Sequence, residues 1–151
     1  MEKEINSQHY SISAGIYIKK IGNQILRYIN QNTLFSENPD ATKMQMIFAS
    51  YISNHNPCYQ KDLEREFGIV AATASQILKH MENEKLLTRI PDENDARKKQ
   101  LVLSDKGMEI GIKRNASIKQ LDKAILKDID SKKLDVFFEV LDQIKENVKI
   151  K

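Results

Sequence analysis

A mainly α-helical fold carrying one small β-hairpin is predicted by three features of this sequence. First, apolar residues recur at helical spacing near both ends, at Ile12, Ile16, Ile21, Ile25 and Ile29 and again at Leu134, Phe137, Phe138, Leu141, Ile144 and Val148. Second, two short helical patterns between Tyr59 and Leu86 meet at Gly68, a residue able to take the left-handed conformation of a tight chain reversal. Third, two β-prone runs, Leu87-Thr88-Arg89-Ile90 and Gln100-Leu101-Val102-Leu103, flank a charged loop marked by Pro91 and an Asp/Asn cluster. Together these read as a winged helix-turn-helix with long N- and C-terminal helices.

Taken in order, the chain opens with an amphipathic helix from Ile5 to Asn32, its stripe widened by Ile18, Leu26 and Tyr28. Asn32, Ser36, Asn38, Pro39 and Asp40 break it in a loop of ordinary length. A second helix runs from about Ala41 to Ser53, with Met44, Ile47, Phe48, Tyr51 and Ile52 as a dense apolar face, until Asn54-His55-Asn56-Pro57 stops it. The third, Gln60 to Phe67, places Leu63 and Phe67 four apart on one face among charges. The fourth, Ala71 to Leu86, turns Ala74, Ile77, Leu78, Met81 and the stem of Lys85 inward. Its other face carries Thr73, Ser75, Gln76, Lys79 and His80, small or hydrogen-bonding side chains that suit close approach to a major groove. Beyond the β-prone pair, Ser104 caps a helix with Asp105 in its first turn, where a negative charge suits the helix dipole. That helix carries Met108, Ile112, Ile118, Leu121, Ile125 and Leu126. Asp128-Ile129-Asp130-Ser131 interrupts it, and a last helix runs to about Val148.

Bulk composition narrows the function. At 151 residues, 40% hydrophobic and 30% charged, the chain suits one compact domain. No apolar run approaches the ~18 residues of a membrane span, and Met1-Glu2-Lys3-Glu4 leads into no secretory-type apolar core, so a cytoplasmic protein without membrane partner is expected. The net charge of +3 is only mildly basic. Between 60 and 103 eight cations meet eight acids, so an argument for nucleic acid has to rest on where the charges point. The acids fall mostly at the start of the third helix, in the last turn of the fourth and at the base of the hairpin. Arg97-Lys98-Lys99 sit toward the hairpin's tip.

The single Cys58 excludes an intramolecular disulfide, and with three scattered histidines it leaves no Cys/His metal cluster; it reads as a small structural hydrophobe. The acidic run Asp92-Glu93-Asn94-Asp95 is not a calcium loop, since Arg97 stands where that loop needs Gly and Leu103 where it needs Glu. No nucleophile beside a base, paired-carboxylate cleft or glycine-rich phosphate loop emerges, so neither an enzyme nor a cofactor is expected.

The segment from Asp92 to Gly107 resembles the wing of the MarR family of transcriptional regulators, with Asp95, Arg97, Leu103, Ser104 and Gly107 in the positions of the family pattern. Thr42 and Gln45 are similar to the family's Thr-x-x-Gln before the motif, and Leu63 fits its helix-turn-helix leucine. Tyr59 departs from the pattern, standing where Ser or Thr usually caps the helix, and so does Lys85, where a Gly commonly ends the recognition helix. One relative in the family senses peroxides through a cysteine in its first helix, whereas Cys58 lies beside Pro57 before the helix-turn-helix, so the resemblance gives it no sensing role.

The resemblance implies a DNA-binding regulator, in its simplest form a repressor, that is a homodimer on a pseudo-palindromic operator of double-stranded DNA. It divides a single domain, 1–151, into a winged helix-turn-helix lobe at 41–107 and dimerisation helices at 1–33 and 108–151. The striped outer helices independently call for something to bury them, and Ile12, Ile16, Phe137, Leu141 and Ile144 are the expected dimerisation residues. One closed monomer is the alternative.

For DNA, Gln76 suits an adenine edge, Ser75 and Thr73 bases or phosphates, and Lys79 and His80 the backbone; Gln60 and Lys98 complete the expected set. Arg97 would enter a narrow A·T-rich minor groove, and by resemblance Asp95 would orient it. The family also implies a small aromatic or phenolic ligand, for which Tyr10, Tyr17, Tyr28 and Tyr51 are candidates, each equally readable as a half-buried core tyrosine. A winged-helix protein-interaction module without DNA binding stands as the second reading, supported by the neutral central block.

Overall fold

A computed structural model describes residues 13–31, 40–95 and 97–149. Its elements are α1 (Ala14–Gln31), α2 (Lys43–Asn54), α3 (Gln60–Phe67), α4 (Ala71–Asn83), β1 (Leu87–Pro91), β2 (Lys99–Leu103), α5 (Asp105–Ile125) and α6 (Ser131–Asn147). The predicted winged helix-turn-helix is therefore the fold found. The proposed helix start at Ile5, the candidates Tyr10 and Ile12, and most of the loop after α1 lie outside the described residues.

By packing the chain divides into two units, one reaching Ser117 and one beginning at Ile118, so the division falls inside α5. In the first unit α2 begins at a capping box. The Thr42 hydroxyl accepts the Gln45 N–H at 3.3 Å while the Gln45 side-chain oxygen accepts the Thr42 N–H at 2.7 Å. The other end of the Gln45 amide donates to Glu84 at 2.7 Å, tying the start of α2 to the end of α4. Phe48, Leu63, Leu78, Met81, Leu86 and Leu87 are fully buried together, each contributing about 1.5–3 kcal/mol of transfer free energy.

The hairpin pairs antiparallel, Leu87 opposite Leu103 and Pro91 opposite Lys99. A third short edge joins it: the Leu101 N–H donates to the Cys58 carbonyl at 2.8 Å, and Tyr59 bridges Gln100. That stitch accounts for the burial of Cys58, whose thiol burial pushes up to about 11. A lone bridging pair leaves no periodic signal, so pattern reading could not have found it.

Two helices differ from expectation. α4 ends at Asn83 instead of Leu86, and Lys85 is exposed with φ 57°, so its stem does not face inward. Here a lysine takes the left-handed position that glycine would fill more easily, because the chain must turn sharply to bury Leu86 and Leu87. In α5 the first turns pack through glycines. Met108 and Ile112 are exposed, and the buried face is Gly107, Ile110 and Gly111. A Cβ at Gly107 would lie 2.1 Å from the Leu86 carbonyl oxygen and one at Gly111 2.6 Å from that of Ala49. The contact is backbone against backbone, which an apolar-periodicity search does not register. Asn115 fastens the same face, accepting from the Ser50 hydroxyl at 2.6 Å and donating to Ser53 at 3.1 Å.

In the second unit Asp128 turns the chain at φ 60°, and the Asp130 carboxylate accepts the Lys132 N–H at 3.0 Å to cap α6. No residue of α6 is buried. Phe137 and Phe138 meet edge to face at 5.2 Å yet remain about half exposed, as do Val136 and Val140.

Candidate nucleic-acid interface

The local chemistry of the turn sets α4 in place. Gly68 adopts φ 59°, which lets its N–H reach the Glu64 carbonyl and closes α3 as the sequence predicts. Ala74, Leu78 and Met81 then bury one face of α4 completely. The opposite face is what remains for a partner, and Thr73, Ser75, Gln76, Lys79 and His80 are all exposed on it. Val70, 69% exposed, precedes the helix and supplies no side-chain cap. The first-turn N–H groups beside exposed Ala71 and Ala72 are thus open to an acceptor such as a phosphate. Sequence reasoning passed over Val70, Ala71 and Ala72 because apolar side chains do not look like ligands; their position at the start of α4 was the available signal.

The loop of the wing is built by two aspartates. Asp92 accepts the Asn94 and Asp95 N–H groups through one oxygen, at 2.9 and 3.0 Å, and the Tyr59 hydroxyl through the other. Its own N–H donates to the Lys98 carbonyl at 3.0 Å, and the Lys98 N–H to the Asp95 carbonyl at 2.8 Å. Asp95 then accepts both the backbone N–H and the Nε of Arg97, each at 3.1 Å. The Tyr59 hydroxyl bond foremost holds the Asp92 carboxyl below its ordinary range, and the Arg97 side chain does the same for Asp95. Arg97 nevertheless leaves 92% of its side chain to solvent.

Burial separates the charges that cancel in the sequence. Of the eight acids between 60 and 103, Asp62, Glu64, Glu82, Asp92 and Asp95 are partly buried, whereas seven of the eight cations are exposed. The exception is Arg89. Its Nε pairs with Glu82 at 3.1 Å and its Nη1 donates to the Gln60 side-chain oxygen at 3.2 Å, joining the end of α4, the middle of β1 and the start of α3. The surface offered around α4 and the wing is therefore more cationic than its composition.

Gln60 is held within this network. Besides accepting from Arg89, its amide donates to Glu64 at 2.9 Å and to the Ala71 carbonyl at 3.3 Å, so it braces α3 against α4. Lys98 is exposed, while Lys99 already belongs to β2 and not to the tip. Tyr51 stacks on His55 at 3.9 Å and meets Phe67 edge-on at 5.6 Å within the core, whereas Tyr17 and Tyr28 are exposed on α1 and are not core residues of this chain. Of the expected dimerisation residues, Ile16 is 62% exposed, Phe137 is exposed, and Leu141 and Ile144 are partly buried. Among the described residues no group of three or more His, Cys, Asp or Glu side chains could hold a metal ion, and no helix is long and apolar enough to cross a membrane.

Residues 40–98 match the model of the MarR family. No curated protein sequence matches the chain. Among solved structures, the transcription regulator MarR from Oenococcus oeni PSU-1 is similar at 26% identity over 89% of this chain and 99% of that one, with a TM-score of 0.70. FabT of Streptococcus pneumoniae, in complex with DNA, is 21% identical over 89% and 96% of the two chains, TM-score 0.72. BpsR of Bordetella bronchiseptica, whose DNA binding is regulated by 6-hydroxynicotinic acid, is 16% identical over 93% and 98%, TM-score 0.71. The last two likenesses speak for the fold alone.

Proposed function

The chain belongs to the MarR family, and from that premise we propose that it is a DNA-binding transcriptional repressor acting as a homodimer on a pseudo-palindromic operator. The observation that carries the reading is the pairing of an exposed polar face on a firmly packed α4 with an exposed, carboxylate-oriented Arg97 on the wing. Gln76 is the reader of an adenine edge, with Thr73 and Ser75 beside it; Lys79, His80 and Lys98 meet phosphates. Arg97, oriented by its bond to Asp95, occupies the flanking minor groove.

Dimerisation is supported by exposed apolar surface that water alone would have to cover. On α1 Ile16, Ile18 and Leu26 are exposed, and on α6 so are Val136, Phe137, Phe138 and Val140. A two-fold dimer would set its recognition helices roughly 34 Å apart, one turn of duplex. A small aromatic ligand that relieves binding belongs to the same reading, in analogy to BpsR. The neutral central block that favoured a protein-interaction module loses its force once most of its acids are partly buried.

Selection of bound duplexes from a random pool, followed by a salt titration on the selected site, tests the proposal. A pseudo-palindrome whose affinity falls with salt by about 0.9 log unit per neutralised phosphate is the expected result. No enrichment would return the interaction-module reading to the front.

A further inference from the structure

We propose that Tyr59, at a position where the family pattern has a small capping residue, is a positioning residue that ties the wing to the helix-turn-helix and sets where Arg97 reaches. The inference rests on the DNA-binding reading and adds to it a residue that touches no DNA. Tyr59 occupies the junction of two elements. Its backbone N–H donates to Asp62 at 2.9 Å, which starts α3, and it bridges Gln100 of β2. Its hydroxyl donates to Asp92, whose other oxygen holds the Asn94 and Asp95 amides at 2.9 and 3.0 Å. Asp95 in turn holds Arg97 at 3.1 Å. One line of hydrogen bonds thus runs from the first turn of α3 to the exposed guanidinium. A Ser or Thr at 59 has too short a side chain to reach across as the phenol does, so the tether belongs to the tyrosine. Gln100 adds a parallel staple, donating to Asn56 at 2.8 Å, so the backbone ladder survives loss of the phenol oxygen while the loop loses its anchor.

The test compares wild type, Tyr59→Phe, Arg97→Ala and the double variant. Two quantities are measured: amide hydrogen exchange of the free protein, and affinity for one selected operator with A·T-rich or G·C-rich flanks. Tyr59→Phe should speed exchange at Asn94 and Asp95, leave exchange in α4 unchanged, and reduce the preference for A·T flanks by about 2–5-fold, the scale of one part-exposed hydrogen bond. The double variant should show no less flank preference than Arg97→Ala alone, because both changes act through the same guanidinium. Unchanged loop exchange in Tyr59→Phe overturns the tether whether or not the protein binds DNA. Faster exchange with an unchanged flank preference, or losses that add in the double variant, overturns the positioning role while leaving DNA binding intact. Absence of any DNA binding by wild type sinks the reading beneath it and the positioning role with it.

Discussion

Replacing Gly107 with alanine is expected to lower stability by about 2–4 kcal/mol through a backbone collision. The new Cβ would lie 2.1 Å from the Leu86 carbonyl oxygen and 3.1 Å from the Leu103 Cδ2. Carbon and oxygen approach comfortably only to about 3.3 Å, so roughly an ångström of movement must be found. Leu86 cannot supply it freely, because its side chain is fully buried and its carbonyl accepts both the Ser104 N–H at 2.9 Å and the Ser104 hydroxyl at 3.1 Å. Overpacking of this kind costs about 1–3 kcal/mol, and a strained or lost hydrogen bond adds about 0.5–1.5 kcal/mol. Gly111→Ala, meeting the Ala49 oxygen at 2.6 Å, should follow with a smaller loss. Gly22 is the control: nothing lies within 4 Å of its virtual Cβ, so alanine there should be neutral or stabilise α1 by about 0.5–1 kcal/mol. The assay is equilibrium urea unfolding followed by circular dichroism, at one fixed protein concentration because self-association shifts the midpoint. A Gly107→Ala midpoint equal to wild type, or a Gly22→Ala loss as large as that at Gly107, would refute the reasoning.

Other outcomes follow from the same contacts. Gln76→Ala should lower affinity for the preferred operator by about 1–3 kcal/mol and leave non-specific binding nearly intact; equal loss on random duplex in fluorescence anisotropy would remove it as a reader. Arg97→Ala should weaken binding most on A·T-rich flanks, whereas Lys98→Ala should reduce the salt slope by about one unit or not at all, uniformly across flanks. Phe137→Asp should give monomeric or aggregated protein with weak DNA binding by light scattering and anisotropy, because burying an unpaired carboxylate in the partner contact costs several kcal/mol; a folded DNA-binding dimer would contradict that surface. Cys58, buried and with its thiol pushed up to about 11, should resist a thiol reagent at pH 8 until denaturant is added. Prompt labelling of the native protein would show that the segment before α3 opens.

Much of this protein is legible in its sequence because the signals are local. Gly68 ends α3, Ser104 caps α5 through the Gly107 N–H at 3.1 Å, Thr42 and Gln45 close a capping box, and the alternation of polar and apolar residues marks which face of α4 is buried. Each depends on residues within one or two turns of one another, so spacing alone carries the information. What only the tertiary structure decided involves partners far apart in the chain. Gln60 is bonded to Arg89 twenty-nine residues on, and Gln45 to Glu84 thirty-nine on. Gly107 and Gly111 form a packing face because other segments' carbonyls press against them, not because they are apolar. The charge balance of the central block changed meaning for the same reason: composition counts charges, and only the fold partly buries five of the eight acids and leaves seven of the eight cations outside.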